Sequence, residues 1–280
     1  MALIGAATGL AFAVLTWYAK VYVDLFRHAD RSILRGFADL HRPGLDRITN
    51  FVADLCNPKP YVYLAAVPVL AALLRRRPRV AVTIGVIIFG ANATTQVLKP
   101  LVAAPHLLPL AGIAPPIDAA SWPSGHATAA MSLALCCVIA APARWRPRVA
   151  AVMAAFSVAV CYSFLELSWH YPSDVLGGFL VAAIWTLLGV AALDLIDLRW
   201  PRRVPWSESG RAATLTVGQV LTPVAALVLG ALVFAALLAL ARPHAVVSYA
   251  RAHEAFMVGA AGIGALSLLL ATGATLALRR

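Results

Sequence analysis

The most constraining feature of this sequence is a series of long apolar blocks that are almost free of charge. About 20 consecutive apolar residues are enough to cross the hydrocarbon core of a bilayer. Eight blocks of this kind, one of them short, divide the 280-residue chain: 2–24, 60–74 (the short one), 79–98, 125–141, 147–165, 175–197, 216–241 and 253–278. Only 12% of the residues are charged, about half the fraction usual in soluble domains. The sequence therefore predicts an all-α, polytopic transmembrane helical bundle.

The first block resembles a signal peptide in position but not in composition. It has no basic segment before its apolar stretch, and that stretch continues as far as Val23. We therefore expect a first span that is retained in the protein. The polar stretch 25–59 that follows has helical periodicity interrupted at Pro43 and Gly44, which predicts two short amphipathic helices. They either lie at the membrane surface or pack against the bundle.

The loop 198–215 is rich in proline, tryptophan and arginine, and it is the best candidate for a boundary. We expect a six-span catalytic core at 1–197, a cytoplasmic linker at 198–215 and a two-span C-terminal hairpin at 216–280.

The basic residues are distributed unequally between the two sides of the predicted bundle. The side that carries both termini holds 13 Lys and Arg against 3 acids, a balance of 13 − 3 = +10, whereas the opposite side has 10 − 9 = +1. An excess of Lys and Arg marks the cytoplasmic side of a membrane protein. Both termini are therefore predicted to be cytoplasmic. Because the charges lie in short loops, the net charge of +11 indicates orientation in a bilayer and no nucleic-acid partner.

Composition also bears on the source of the chain and on metal binding. The high content of Ala and Arg favours a GC-rich coding source, and the expected location is a bacterial plasma membrane. The four cysteines form no CxxC or Cys/His cluster, so no metal site and no disulfide is predicted. They are Cys56, Cys136, Cys137 and Cys161.

Three polar clusters lie at span ends on the outer side, where ionisable groups are candidates for function. In the first cluster Asn92, Gln96 and Lys99 are spaced i, i+4 and i+7, so they share one face of a helix. A lysine at a span end is often only an interfacial anchor. The polar stripe that leads to Lys99 favours a functional role.

The second cluster is the sequence Trp-Pro-Ser-Gly-His at 122–126. Pro and Ser are typical of a helix start, and glycine allows another group to approach the backbone. Free N–H groups and the helix dipole at such a start favour a bound phosphate. His126 lies beside them, where it can act as a polar cap or protonate a leaving oxygen.

The third cluster is His-Tyr-Pro-Ser-Asp at 170–174. A carboxylate that accepts from one nitrogen of His170 would fix its tautomer and make the other nitrogen a better nucleophile or base. Asp174 or Ser173 can equally cap the following helix. The two roles are compatible.

With Lys99, PSGH at 123–126 and HYPSD at 170–174 in this order, the chain resembles the type 2 phosphatidic acid phosphatase superfamily. This superfamily is also called PAP2 or vanadium-haloperoxidase-like. The resemblance covers roughly 60–197 and leaves the last two spans outside.

The resemblance implies a phosphohistidine mechanism that needs no metal or other cofactor. His170 would attack phosphorus, Asp174 would orient it, and His126 would protonate the leaving alkoxide. Ser124, Gly125 and Lys99 would hold the phosphate oxygens. The implied partner is a phosphorylated membrane lipid, either a polyprenyl or a glycerolipid phosphate, and the acceptor is water or an alcohol.

Two arginine positions of the family pattern hold other residues in this chain. Counted from Lys99, the first position holds His106 and is followed by Leu107 instead of Pro. In the third motif Ser163 is in place, but Phe164 occupies the arginine position.

Several explanations for the missing arginines stay open at this point. His106, Arg242 or Arg251 supplies the missing charge, or the substrate needs fewer cations, or the chain is an inactive lipid-binding or scaffold protein. A lipid transporter is the alternative class, but the sequence shows no repeated half and no charge at mid-span.

Overall fold

The computed structural model describes residues 2–104, 117–201 and 216–278, and in these segments the chain is helical with no strand. The α-helices are α1 Ala2–Tyr22, α2 Asp24–Asp39, α3 Asp46–Asp54, α4 Pro58–Leu74, α5 Pro78–Leu101, α6 Gly125–Ala140, α7 Arg146–Glu166, α8 Pro172–Arg199, α9 Val217–Ala241, α10 Pro243–Ala252 and α11 Glu254–Ala277.

The predicted all-α transmembrane bundle is confirmed. Six of the described helices are long and apolar enough to cross a bilayer, namely α1, α5, α7, α8, α9 and α11. Two shorter apolar helices, α4 and α6, correspond to the blocks 60–74 and 125–141. Each predicted apolar block is therefore one helix.

Helix α6 lies at the centre of the bundle and packs against α4, α5, α7, α8 and α11. Its sequence is rich in Ala, Ser, Thr and Cys, and small side chains let neighbouring backbones approach closely in a membrane. Hydroxyl groups join it to its neighbours: Ser132 Oγ lies 3.1 Å from Tyr61 Oη, and Thr128 Oγ1 lies 3.0 Å from Thr95 Oγ1. Hydrogen bonds of this kind contribute about 0.6 kcal/mol each in membrane bundles.

The two amphipathic helices predicted in 25–59 are present as α2 and α3. Helix α2 packs against α7 and α11, with Leu34 and Phe37 buried in the core. Helix α3 contacts α7 but leaves Ile48 and Phe51 exposed. Packing against the bundle is therefore the observed arrangement for α2, whereas α3 combines a packed face with an exposed apolar one.

The C-terminal helices differ from each other in their contacts. Helix α9 is almost entirely exposed, whereas α11 packs against α7 and α2. Tyr162 Oη donates to the carbonyl of Ala260 at 2.6 Å, and Ser267 Oγ donates to that of Ala154 at 3.1 Å. Between these two helices the chain forms α10, for which the sequence analysis made no prediction. Pro243 is its first residue, a position at which proline is favoured. The division into a core, linker and hairpin stays a prediction, since 202–215 lies outside the described residues.

The helix ends form two chemically different ends of the bundle. At one end, arginines of the short loops bind helix carboxyl ends and acids: Arg146 Nη1 donates to the carbonyl of Leu278 at 2.8 Å, and Arg79 pairs with Asp197 at 3.2 Å. The opposite end holds the end of α5 and the beginnings of α6 and α8. All three polar clusters from the sequence lie at this opposite end.

Candidate active site

The start of α6 forms a cradle of backbone and side-chain donors. Ser124 is the N-cap of this helix, because its Oγ accepts from the N–H of Ala127 at 3.3 Å. Gln96 Nε2 and Lys99 Nζ lie 3.4 Å and 3.9 Å from the point that a Cβ on Gly125 would occupy. The structure thus brings an ammonium group and an amide to the positive end of a helix dipole, an arrangement suited to an anion.

His126 projects from the first turn of α6 and contacts Asn57 at the start of α4. Its Nε2 lies 2.9 Å from Asn57 Oδ1, while Asn57 Nδ2 donates to Asp54 Oδ1 at 2.8 Å. Because a carboxylate only accepts, the amide group must face Asp54, and its carbonyl faces the histidine. His126 therefore carries its proton on Nε2. Sequence reasoning missed Asn57, which has no motif around it.

His170 lies beside His126, with ring centroids 6.2 Å apart. Its Nδ1 is 3.5 Å from Asp174 Oδ2, longer than an ordinary hydrogen bond, so Nδ1 makes no hydrogen bond in this geometry. Catalytic hydrogen bonds are often long without substrate and tighten when it binds. The same Oδ2 accepts from the N–H of Tyr171 at 2.9 Å, so Asp174 both caps the start of α8 and faces the histidine.

Lys20 is the second residue that sequence reasoning missed. It lies near the end of α1, is only 4% exposed, and forms an ion pair with Asp174 Oδ1. Its Nζ also donates to Ser121 Oγ at 3.1 Å. The sequence offers one signal for Lys20, a charged residue within the apolar block 2–24. A lysine that only anchors a span at the membrane interface gives the same signal.

Asp30 of α2 completes the polar layer under the start of α8. Its two oxygens accept from the N–H of Ser173 at 2.8 Å and from Ser173 Oγ at 2.6 Å. Burial raises the pKa of Asp30 to about 6, although Lys20 and the hydrogen bonds from Ser173 oppose that shift.

The second arginine position of the family pattern lies at the centre of this site. Phe164 is fully buried, and its ring contacts both histidines, with centroids 5.8 Å from His126 and 5.4 Å from His170. An apolar ring thus lies against both imidazoles. Arg242 and Arg251 are exposed and make no hydrogen bond or ion pair with the site in the part of the chain that is described, and His106 lies outside that part.

An apolar cavity of about 200 Å³ opens between α1, α5 and α8 next to the site. Trp122, two residues before Ser124, lines it, and so does Leu98, which precedes Lys99. The cavity continues along α1 as far as Leu10. Seven residues of helix, from Trp17 to Leu10, correspond to about 10 Å, so the cavity extends about this far along the apolar part of α1.

Comparison with known proteins agrees with this geometry. The model of the PAP2 superfamily matches residues 80–195, which include Lys99, the PSGH segment and the HYPSD segment. A search of curated proteins found no match.

Among solved structures, the chain is similar to a transmembrane PAP2-type phosphatidylglycerolphosphate phosphatase from Bacillus subtilis. The TM-score is 0.56 at 19% identity, over 71% of this chain and 98% of that one. At the level of the family, the match to 80–195 supports a membrane lipid phosphatase. The segment 80–195 therefore matches the PAP2 superfamily, and the chain has the fold of a transmembrane PAP2 protein.

Proposed function

We propose that this protein removes or transfers the phosphoryl group of a membrane lipid through a phosphohistidine intermediate. The observation that carries the proposal is the convergence of His126 and His170 beside the start of α6, with Asp174 behind His170. Two imidazoles and a helix N-terminus supply a nucleophile, a proton donor and an anion cradle.

The first half of the reaction forms a bond from His170 to phosphorus. Its Nδ1 faces Asp174, so Nε2 is the nitrogen left for attack. As the N–P bond forms, the P–O bond to the lipid breaks, and His126 gives a proton to the leaving oxygen. In this step His126 acts as an imidazolium that donates from Nδ1, while its Nε2–H stays bonded to Asn57. The backbone N–H of Gly125, the hydroxyl of Ser124 and Lys99 neutralise the phosphoryl oxygens, which is where negative charge is concentrated.

The second half regenerates the enzyme. Water attacks phosphorus, the N–P bond breaks with its electrons returning to His170, and His126 accepts the proton of the water. An alcohol in place of water gives phosphotransfer. Every step uses side chains of this protein, so we propose that activity is independent of added metal.

The cavity between α1, α5 and α8 supports a lipid substrate over a soluble phosphate ester. Its lining is almost wholly apolar and includes Leu98 and Trp122, which lie next to the cradle in the sequence, so a hydrocarbon chain would lie in it while the phosphate occupies the cradle. The arginine-rich end is the cytoplasmic one by the positive-inside rule, and the site therefore faces the outside and the lipids of the outer leaflet.

One observation favours a second candidate, a lipid-binding protein without catalysis. Phe164 removes a cation from the centre of the site, and a bidentate arginine is a strong ligand for a phosphate dianion. Against this, the paired histidines with Asp174 have no evident use in a protein that only binds lipid.

The test is phosphate release by the purified protein in detergent, with EDTA present. The substrates are undecaprenyl diphosphate, phosphatidic acid, phosphatidylglycerol phosphate and, as a soluble comparison, p-nitrophenyl phosphate. His170→Ala removes the nucleophile, and His244→Ala, an exposed histidine on α10, is the matched control.

Release that survives EDTA, persists in His244→Ala and falls at least about 1,000-fold in His170→Ala would support the proposal. Alkali-stable, acid-labile phosphate on wild-type protein would identify the intermediate. If no substrate is turned over, with or without glycerol as acceptor, the result contradicts the proposal for these lipids and favours the non-catalytic candidate.

A further inference from the structure

Lys20 does not behave as an interfacial lysine. Such side chains extend towards the headgroups and leave the ammonium group in water. Lys20 is instead turned into the bundle, where it contacts Asp174, Ser121 and the face of Tyr171, whose ring centroid is 5.0 Å from Nζ. A buried ammonium group is costly unless a carboxylate and hydrogen bonds compensate it. Its position is therefore specified by these partners.

The carboxylate of Asp174 is shared between two basic groups. Oδ1 pairs with Lys20, whereas Oδ2 faces His170 Nδ1 and accepts from the N–H of Tyr171. The charge of this carboxylate is thus balanced before the imidazole takes a proton. A carboxylate without Lys20 would attract a proton to His170, and an imidazolium ion has no lone pair for attack.

We propose that Lys20 is a positioning residue of the site, which holds Asp174 in place and balances its charge so that His170 stays a neutral nucleophile. The proposal rests on the function proposed above and adds a residue from α1 to it. Lys20 lies outside the segment 80–195 that matches the superfamily model. The N-terminal helix is thus part of the site and not only of the scaffold.

The packing of α1 fixes the direction of this side chain. Helix α1 lies along α8, and Gly5 and Gly9 bring its backbone close to Leu187 and Ile184. Near its end, Trp17 Nε1 donates to the carbonyl of Val102 at 3.1 Å. These contacts orient α1 so that position 20 faces the start of α8.

The other charged groups around His170 and Asp174 come from every neighbouring element. Asp30 of α2 faces Ser173 and Lys20, Lys99 of α5 faces the cradle, and His126 of α6 stands beside His170. Tyr171 precedes α8 and interacts with Arg31. Helix α7 contributes the uncharged Phe164. Among these groups, Lys20 is the cation in direct contact with Asp174.

The test measures the protonation of His170 without relying on activity. Diethyl pyrocarbonate acylates the neutral imidazole, and mass spectrometry of the peptide that contains His170 gives the reaction rate between pH 5 and 8.5. The variants are Lys20→Met, Lys20→Gln and Lys20→Arg. Lys59→Met, which removes an exposed lysine at the start of α4, is the matched control.

We expect the midpoint of this rate profile to move upwards by about one pH unit in both neutral variants, a tenfold change in proton affinity. Lys20→Arg and Lys59→Met should keep the wild-type midpoint. In the two neutral variants, the acid limb of the pH profile of phosphatase activity should move by the same amount. Lys20→Gln retains a hydrogen-bond donor for Asp174, so the buried carboxylate loses less stabilisation in this variant than in Lys20→Met.

An unchanged midpoint in a folded neutral variant overturns the proposal. If neither neutral variant folds, Lys20 is a structural residue and the proposal also fails. A wild-type protein that turns over no lipid phosphate but shows the midpoint shift contradicts only the proposed function. Turnover without a shift contradicts only the role of Lys20.

Discussion

Asp30 shows how a single residue connects the stability of this bundle to its site. Its carboxyl group is buried and accepts two hydrogen bonds from Ser173, the residue before Asp174. Burial raises its pKa from 3.8 to about 6. The folded protein therefore binds this proton more tightly than the unfolded chain does.

Asp30→Asn should remove a specific pH dependence of stability. Between pH 4 and 6 the native state holds the additional proton, so the wild-type free energy of unfolding falls as pH rises through this window. Above pH 6 the full cost of about 3 kcal/mol is present. Asparagine does not titrate, and the variant lacks this decline.

The measurement is the melting temperature in detergent micelles at pH 4.5 and pH 7.5. Relative to Asp30→Asn, the wild type should lose melting temperature on going to pH 7.5. Asp24→Asn, which changes an exposed carboxyl on the same helix, should follow the wild type. If the melting temperature changes equally between the two pH values in the wild type and in Asp30→Asn, burial does not perturb the pKa of this carboxyl.

Single residues also show what sequence can and cannot predict about the site. His126, His170 and Asp174 were predicted because each lies in a short motif at a helix start. Lys20 is 154 positions from Asp174, and Asn57 is 69 from His126. Their proximity depends on how α1 and α4 pack, which no local pattern encodes. The sequence singled out Phe164 as a departure from the resembled family, but only packing places its ring against both histidines.

At the scale of elements, the site depends on the close approach of α8 to the start of α6. The N–H of Ser124 donates to the carbonyl of Asp174 at 2.9 Å, which joins the two helix starts directly. Gly178 permits this approach, because a Cβ there would lie 2.7 Å from the carbonyl oxygen of Ser124 and 2.9 Å from the backbone nitrogen of Thr128. Both atoms belong to the backbone at the start of α6, so no flexible side chain can move aside to make room.

Gly178→Ala should therefore separate the phosphate cradle at the start of α6 from His170, which precedes α8. We expect a loss of stability of about 1–3 kcal/mol from overpacking, together with a fall in activity of at least about tenfold. Melting temperature and phosphate release measure the two effects. Gly85→Ala is the matched control, since a Cβ at Gly85 of α5 meets nothing within 4 Å.

That control should keep its activity and be as stable as the wild type or slightly more so, because alanine favours a helix by about 1 kcal/mol over glycine. Wild-type activity in Gly178→Ala would mean that α6 and α8 can move apart without disturbing the site.

The elements themselves were largely predictable, because apolar blocks of span length have few alternatives in a membrane. There are two exceptions, with different causes. The sequence left open whether α2 lies on the membrane or on the bundle, and the answer depends on the C-terminal helices. Tyr249 of α10 donates to the carbonyl of Gly36, and Gly259 of α11 packs on Ile33. Helix α10 was missed since ten residues with a mixed face resemble a polar loop.

At the scale of the whole molecule, the two ends of the bundle carry different charge, and this asymmetry predicts its orientation. Counted from the sequence, the segments predicted on the arginine-rich side have a balance of +10, whereas those predicted on the site side have +1. If the positive-inside rule decides orientation here, then the histidines, Asp174 and Lys99 all open to the outer face. A phosphatase that faces outwards acts on lipids of the outer leaflet, so the orientation decides which substrates the site meets.

Cysteine labelling in intact cells tests this orientation. Ala119→Cys places a thiol on an exposed loop at the site end. Arg144→Cys places one at the arginine-rich end and removes only one of the 13 basic residues that the sequence assigns to that side. The native cysteines are a weak background, because three are buried and Cys137 is half-buried. A membrane-impermeant maleimide should label Ala119→Cys in intact cells and Arg144→Cys only after permeabilisation. The reverse pattern would place the site in the cytoplasm and direct the search for substrate to the inner leaflet.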